Sequence, residues 1–163
     1  MSWYGGVFAF LYDPFVALSE RRGMADLRHE VVSQARGDVL EVGAGTGLNL
    51  LHYPDAATRV ILADPEAPMV RRLRERARSS ARTEVVQAPA ERLPFHDAQF
   101  DTVVCTFVLC TVADMPAALG EITRVLRPDG QLRLRAGRWS AMPAIVQPLI
   151  FGPVRPAAAD QSL

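Results

Sequence analysis

Residues 39–47 read VLEVGAGTG, and this stretch decides the fold. A short, mostly apolar strand pattern runs directly into three glycines that alternate with small residues. Glycine admits a positive φ and lets a ligand approach the backbone closely, because it has no Cβ. A helix beginning near Gly47 would offer unpaired N–H groups at the same turn. The stretch therefore predicts a strand–turn–helix unit that can hold a ligand, although a tight turn without a ligand has the same local pattern.

A carboxylate follows the next predicted strand, residues 59–63. In a doubly wound parallel sheet the carboxyl ends of neighbouring strands meet at one edge, where Asp64 can accept hydrogen bonds from both hydroxyls of a ribose. Its alternative role is to cap the helix that follows. The turn has G-x-G-x-G spacing instead of the G-x-G-x-x-G of dinucleotide sites, which disfavours an NAD-dependent oxidoreductase.

The rest of the chain alternates between strand and helix patterns. Further strands are predicted at residues 83–87, 100–107 and 131–136, and helices within residues 7–35, at 47–52, around 69–78 and after Asp114. Leu119 is expected on the core side of this last helix, with Ile122, Val125 and Leu126. The order predicts an α/β fold of the Rossmann-like, doubly wound type, with a mostly parallel sheet and helices on both faces.

Composition restricts the partners of the protein. Its 163 residues suit one domain, and 18 basic residues balance 18 acidic ones, which argues against nucleic acid as a partner. Cys105 and Cys110 lie in one apolar segment and are expected to be buried thiols in a reducing cytoplasm. The three histidines are far apart in sequence, so no metal site is predicted.

The beginning of the chain lacks the features of a secretory signal, which favours a cytoplasmic location. The apolar residues 7–18 are interrupted by Asp13-Pro14 and are too short to span a bilayer. Contact of this stretch with a membrane surface stays open, as does a role in covering a pocket.

Five segments now indicate a family. They are residues 39–47, Asp64, residues 90–95 (AERLPF), residues 100–104 (FDTVV) and residues 121–130 (EITRVLRPDG). In this order they resemble the type 11 methyltransferase domain, which includes quinone-biosynthesis methyltransferases. The resemblance covers about residues 12–136 and is far more specific than any one segment. It implies a class I methyltransferase with S-adenosylmethionine as its cofactor.

The resemblance also implies roles for individual residues. The glycine turn would hold the methionine part of the cofactor, with Glu41 as a carboxylate for its amino group, while Asp64 would bind the ribose hydroxyls. Ala90 would meet the adenine through its backbone N–H. The implied cofactor-binding residues are Glu41, Gly43, Ala44, Gly45, Gly47, Asn49, Asp64, Pro65, Met69, Ala90, Thr106, Phe107 and Leu109. A helix-surface amide is the alternative for Asn49, and core packing is the alternative for Met69 and for the three residues after the fourth strand.

Two departures from the family pattern stand out. Pro89 occupies a position where many relatives have an Asp that bonds the adenine amino group. Residues 137–163 are rich in Pro and do not predict the helix and closing strands of the family, so these C-terminal strands are expected to be missing. An uncovered sheet edge would favour self-association. The domain prediction is a helical lid at residues 1–36, a cofactor-binding core at residues 37–136 and a loose tail at residues 137–163.

The resemblance implies methyl transfer to a small acceptor, and the apolar start of the chain favours a partly hydrophobic one. A hydroxyl acceptor would need a general base. The sequence offers four candidates and favours none of them: Tyr12, Asp13, His29 and His96. The alternative function is cofactor binding without turnover, or a subunit completed by another chain. Tyr12-Asp13 also resembles the lid segment of related enzymes.

Overall fold

The computed structural model describes residues 25–109 and 111–135. Its helices are α1 (Ala25–Val32), α2 (Ala67–Ala77) and α3 (Met115–Val125), and a 3₁₀ helix covers Leu48–His52. Its strands are β1 (Gly37–Val42), β2 (Ala57–Asp64), β3 (Thr83–Gln87), β4 (Phe100–Thr106) and β5 (Leu126–Arg135). The helix predicted after the glycine turn thus occurs as a 3₁₀ helix.

The five strands form one sheet in the order β3-β2-β1-β4-β5, and every neighbouring pair is parallel. The central strand β1 pairs through Val39 with Val60 on one side and with Thr102 on the other. The chain reverses its direction of winding between β1 and β4, and ligands bind such sheets at the carboxyl ends of the strands beside this switch point. The doubly wound parallel fold predicted from the sequence is therefore confirmed.

Two cores lie on opposite faces of the sheet, because side chains alternate along each strand. One core contains Leu40 of β1 and Ile122 of α3. The other contains Val39 of β1, Leu73 of α2 and Val32 of α1. Helices therefore cover both faces, as predicted, and the strands can be apolar throughout because neither face is left to solvent.

Helix α3 begins at the predicted cap. The Asp114 side chain accepts a hydrogen bond from the Ala117 N–H at 3.0 Å, and a proline stands in the first turn. The prediction that Leu119 faces the core is wrong, since this side chain is 38% exposed while Ala118 and Ile122 are buried. The buried residues Ala118, Ile122 and Val125 recur at intervals of four and three. Leu119 lies about 100° around the helix axis from Ala118, so it points away from this buried side.

Strand β5 begins at Leu126, five residues before the predicted start. Its pairing with β4 passes from Phe100↔Leu126 directly to Thr102↔Gln131, so residues 127–130 bulge out opposite a single residue of β4. The predicted Pro-Asp-Gly turn lies in this bulge. The turn is therefore absorbed into the strand instead of preceding it.

Several predictions fall on residues outside the described part of the chain. They concern residues 1–24 with Tyr12 and Asp13, Cys110, and residues 136–163. Among the described residues β5 has a neighbouring strand on one side only, and its Leu132 and Leu134 are each 41% exposed. Self-association through this edge stays a prediction.

None of the helices in residues 25–109 and 111–135 has the length and apolar character needed to cross a bilayer. The same part of the chain contains no group of His, Cys, Asp and Glu side chains arranged to hold a metal ion.

Candidate functional site

The turn between β1 and the 3₁₀ helix has a left-handed backbone at each of its three glycines. The φ angles are 71° at Gly43, 57° at Gly45 and 85° at Gly47. Residues with a Cβ rarely adopt this conformation, which explains the three glycines. The sequence thus specifies this turn locally, before any tertiary contact is considered.

The three glycines differ in what surrounds them. A Cβ at Gly43 would stand 2.0 Å from Cγ2 of Val108, and one at Gly47 would stand 2.6 Å from Cδ1 of Leu73. A Cβ at Gly45 would have no atom within 4 Å. Two glycines are therefore needed for packing inside the protein, whereas Gly45 borders open space that a ligand can occupy.

The backbone donors of the turn are used within the protein. The Ala63 carbonyl accepts hydrogen bonds from the N–H groups of Gly43 at 2.8 Å and Ala44 at 3.0 Å. The Gly47 N–H donates to the Ala44 carbonyl at 3.0 Å. The first two bonds hold the turn against the end of β2, and the third lies within the turn. All three N–H groups therefore already have a hydrogen-bond partner.

Asp64 lies beside the turn at the end of β2. Its Oδ2 accepts a 2.8 Å hydrogen bond from the Gly45 N–H and its Oδ1 a 2.9 Å bond from the Glu66 N–H. Burial raises the pKa of this carboxyl group, and the two backbone hydrogen bonds oppose the increase. Glu66 is the N-cap residue of α2, so Asp64 does not take the alternative capping position. Each carboxylate oxygen can accept a further hydrogen bond.

A buried polar cluster lies directly behind the turn. Glu41 and Asn49 are each 1% exposed, and Tyr53 is 8% exposed. Glu41 Oε1 accepts from the Asn49 amide at 2.7 Å, and its Oε2 accepts from the Tyr53 hydroxyl at 2.7 Å. Burial raises the pKa of Glu41 to about 7, against the effect of these hydrogen bonds. Both oxygens of Glu41 thus bond to protein groups, and Asn49 is not the helix-surface amide weighed as its alternative.

Arg28 of α1 is bonded to this buried cluster through Asn49. Its guanidinium donates to Asn49 Oδ1 at 3.2 Å and to Thr106 Oγ1 at 3.4 Å, and it lies 5.0 Å from the ring centroid of Phe107. The Asn49 amide also donates to Thr106 Oγ1 at 2.8 Å. Arg28 is 8% exposed. Arg28 is not among the residues predicted from the sequence, although its position four residues before Val32 is a usable signal.

The floor of the site follows β4. Thr106 is 5% exposed, while Phe107 and Leu109 are half-buried. Phe107 has a φ of 59°, which is uncommon for a residue with a Cβ, and its N–H donates to the Arg135 carbonyl at 2.8 Å. Strained backbone of this kind is often found at functional sites.

Another wall comes from the segment after β3. The Ala88 N–H donates to the Asp64 carbonyl at 3.1 Å, which holds this segment beside the end of β2. Ala90 is buried, whereas Pro65 and Pro89 are exposed. The sheet thus gathers most of the predicted residues at one edge.

Met69 of α2 does not occupy the buried core position that was its alternative role. Met69 is half-buried, and Val70 is the buried residue of that turn. This arrangement leaves Met69 available for a contact at the site.

The histidines weighed as bases do not converge with these groups. His96 is exposed and lies four residues before the start of β4, towards the amino edge of that strand. His29 is exposed on α1, and its ring packs edge-on against His52 with centroids 5.7 Å apart. Of the four candidate bases, the two histidines that the structure describes therefore do not join the buried cluster behind the turn.

The sequence of this chain is similar to those of known methyltransferases. A family profile described as a methyltransferase domain matches residues 40–134. The chain is 33% identical over 127 residues to a human protein named thiol S-methyltransferase TMT1A; the match covers 76% of this chain and 52% of the relative. It is 37% identical over 105 residues to the ubiquinone/menaquinone biosynthesis C-methyltransferase UbiE of Pseudomonas fluorescens, covering 61% of this chain and 41% of the relative.

A solved structure has the same fold. It is a putative S-adenosyl-L-methionine-dependent methyltransferase of Methanococcus maripaludis, with a TM-score of 0.70 at 16% identity. The superposition covers 81% of this chain and 64% of that structure. The chain spans about half the length of the curated relatives that it matches.

Proposed function

The chain belongs to the methyltransferase domain family, and from this premise we propose that it transfers the methyl group of S-adenosylmethionine to a small, partly hydrophobic acceptor. One observation carries the proposal. The open space at Gly45 lies beside the Asp64 carboxylate, at the carboxyl edge of the two strands where such folds bind ligands.

The residues present suit this cofactor. The space at Gly45, which a Cβ would fill, admits the chain of a methionine sulfonium past the backbone. Asp64 keeps acceptor capacity for the ribose hydroxyls, and the segment at Ala90 adjoins it through the Ala88 hydrogen bond. The remaining proposed contacts are Gly43, Ala44, Gly47, Pro65, Met69, Thr106, Phe107 and Leu109. Glu41 and Asn49 belong to the proposed site as the buried groups behind the turn.

The chemistry divides between cofactor and protein. S-adenosylmethionine supplies an activated methyl group on a sulfonium. The protein positions the acceptor in line with that methyl group and excludes water. A thiolate or a stabilised carbanion needs no protein base for this reaction, whereas a hydroxyl does.

The acceptor class is proposed from the relatives. They are named for thiol S-methylation and for C-methylation in quinone biosynthesis. We therefore propose a thiol, or a carbanion of quinol type, as the acceptor. The proposed location is the cytoplasm, because the buried Cys105 is a free thiol typical of a reducing compartment.

Calorimetric titration with S-adenosylmethionine and S-adenosylhomocysteine tests the cofactor. A panel of thiols, phenols and quinols, read out as release of S-adenosylhomocysteine, then tests the transfer. Saturable binding with turnover of a thiol or quinol would support the proposal. Binding without turnover of any acceptor would favour the alternative of a cofactor-binding protein, and a folded chain that binds neither ligand would refute both.

A further inference from the structure

The positive charge of this neutral chain is concentrated in one segment. Residues 71–82 contain six arginines and a single acidic residue, Glu75, although the whole chain has 18 basic and 18 acidic residues. This segment is the second half of α2 together with the turn that leads into β3. A basic segment is often the solvated face of a helix, so the contacts of its arginines decide what it does.

Two of these arginines stabilise the fold. Arg82 donates to the carbonyls of Pro54 and Ala57, each at 2.9 Å, next to the start of β2. Arg76 donates to the Thr46 carbonyl at 2.9 Å and to the Thr46 hydroxyl at 3.1 Å, which fastens α2 to the glycine turn. These contacts explain why a cation stands at each of these two positions.

Arg74 and Arg78 lack contacts of this kind. Both are exposed, and within residues 25–109 and 111–135 neither guanidinium has a hydrogen bond or an ion pair, not even with Glu75 between them. They are four residues apart and Arg78 keeps helical backbone angles, so both lie on one face of the helix, where like charges are destabilising. A cation in the last turn suits the helix dipole, but Arg76 already provides one, so the fold gives no reason for the pair.

An open groove of about 260 Å³ lies between α2 and β3, and both arginines line it. The lining residues are Arg74, Ala77, Arg78, Ser80, Thr83 and Val85, and none of them is acidic. The hydroxyls of Ser80 and Thr83 are hydrogen-bonded to each other at 2.7 Å. Because one hydroxyl donates in that bond, the proton of the other can be donated to a further acceptor. The groove thus offers two cations and one hydroxyl donor.

We propose that this groove binds a phosphate group in its dianionic form, as in a phosphomonoester or inorganic phosphate. Guanidinium groups pair with two phosphate oxygens at once, and the hydroxyl donor serves a third oxygen. A phosphomonoester carries close to two negative charges at neutral pH, because its second pKa is about 6, and it therefore matches both arginines. A carboxylate or a phosphodiester carries one charge and would leave one of the two cations unmatched.

The groove lies apart from the proposed cofactor site. Thr83 is the first residue of β3, so the groove lies towards the amino edge of the parallel sheet. Gly45 and Asp64 lie at the opposite edge, where the strands end. A phosphate in the groove and a nucleoside ligand at Asp64 would therefore bind at the same time, and this inference does not rest on the proposed function.

Calorimetric titration of the full chain with inorganic phosphate tests the proposal, at about pH 8 and with the ionic strength held constant by sodium chloride. Saturable binding is expected. The double variant Arg74→Gln/Arg78→Gln should bind phosphate roughly 10- to 100-fold more weakly, as the loss of charge-assisted contacts predicts. Arg71→Gln is the matched control: it removes an exposed arginine of α2 that does not line the groove, and its affinity should stay within about 3-fold of wild type, because its charge is screened by salt.

Thermal unfolding separates a binding defect from a folding defect. Without phosphate the double variant should unfold at the same temperature as wild type or higher, because it loses a pair of like charges. Phosphate should raise the midpoint of the wild type and leave that of the double variant unchanged, since a ligand stabilises only the state that binds it.

Several outcomes would overturn the proposal. They are a wild-type chain without saturable phosphate binding, equal affinities in wild type and the double variant, and an equal loss in Arg71→Gln, which would indicate general attraction to a basic helix. Dimethyl phosphate binding as tightly as phosphate would contradict recognition of a dianion. Competition between phosphate and S-adenosylhomocysteine would put the anion in the cofactor site instead of the groove. A chain that binds phosphate but not S-adenosylhomocysteine would support the groove while refuting the proposed function.

Discussion

The Gly45 backbone N–H donates a 2.8 Å hydrogen bond to Oδ2 of Asp64. This bond joins the turn after β1 to the end of β2, two elements that are adjacent only because their strands pair in parallel. It places the open side of the turn next to a carboxylate. This hydrogen bond thus sets the distance between the open space at Gly45 and the Asp64 carboxylate, and the proposed cofactor site depends on both.

Asp64→Ala should weaken the binding of S-adenosylhomocysteine roughly 10- to 100-fold, because it removes an ionised acceptor from the proposed ribose position. Asp64→Asn keeps one acceptor oxygen and should lose less. Calorimetric titration of the three proteins measures both effects. Equal affinities in wild type and Asp64→Ala would rule out this role for Asp64.

Alanine at Gly45 and at Gly43 should produce different defects. Gly45→Ala places its Cβ in open space, so the cost to folding is that of a left-handed alanine, about 1–2 kcal/mol, while ligand affinity falls sharply. Gly43→Ala drives its Cβ into Val108 and should add about 1–3 kcal/mol of overpacking to the same backbone cost.

Urea unfolding and ligand titration of both variants distinguish these effects. The larger loss of stability is expected in Gly43→Ala, and the larger loss of affinity relative to stability in Gly45→Ala. The reverse pattern would show that the space at Gly45 is not where the ligand lies.

Glu41 should make the stability of the protein fall as the pH rises. Burial raises its pKa in the folded state to about 7 from the ordinary value of 4.5. A carboxyl group whose pKa is raised by folding stabilises the fold fully below pH 4.5, and this contribution is lost as the pH rises through 7. The difference in pKa corresponds to about 3 kcal/mol.

Glu41→Gln tests this dependence, since glutamine cannot ionise but can still accept from Asn49 and bond Tyr53. The variant should match the wild type near pH 4.5 and exceed its unfolding free energy at pH 8. Glu84→Gln, at an exposed ion pair with Arg59, is the matched control and should not alter the pH profile. Parallel profiles for Glu41→Gln and wild type would contradict the predicted titration.

Arg124 should stabilise the segment after β3, which contains Ala90. Its guanidinium donates to the carbonyls of Phe95 at 2.8 Å and Leu93 at 3.1 Å, and Glu121 beside it accepts from the Leu93 N–H at 2.7 Å. The hydrogen bond from Arg124 lowers the pKa of Glu121 to about 2, so the pair stays ionised at neutral pH. Arg124→Met should lower the thermal midpoint and weaken the binding of adenosine itself.

Arg36→Met serves as the control for Arg124→Met, because it also removes one arginine but lies at the amino end of β1. Differential scanning calorimetry and titration with adenosine measure the two effects. Unaltered adenosine affinity in a less stable Arg124→Met would mean that this segment stabilises the fold without shaping the site.

Local sequence was enough to predict much of the fold. The strand β3 was predicted with its observed bounds, and Asp114 was predicted as the cap of α3. Hydrophobic runs and capping residues act within a few positions along the chain, so they can be read in one dimension. The bulge in β5 could not be predicted, because a Pro-Asp-Gly stretch has the same local sequence pattern whether or not a neighbouring strand pairs around it.

The sequence by itself determined the glycine turn, the carboxylate 21 residues after Gly43 and the alternation of strands and helices. Each of these depends on φ preferences and apolar periodicity, which are properties of short segments. Only the tertiary structure decided that Glu41 is buried with both oxygens bonded, and that Arg28 meets Thr106, 78 residues away. These contacts depend on the order in which strands pair, and the free energy of that pairing comes from the whole sheet and its two cores.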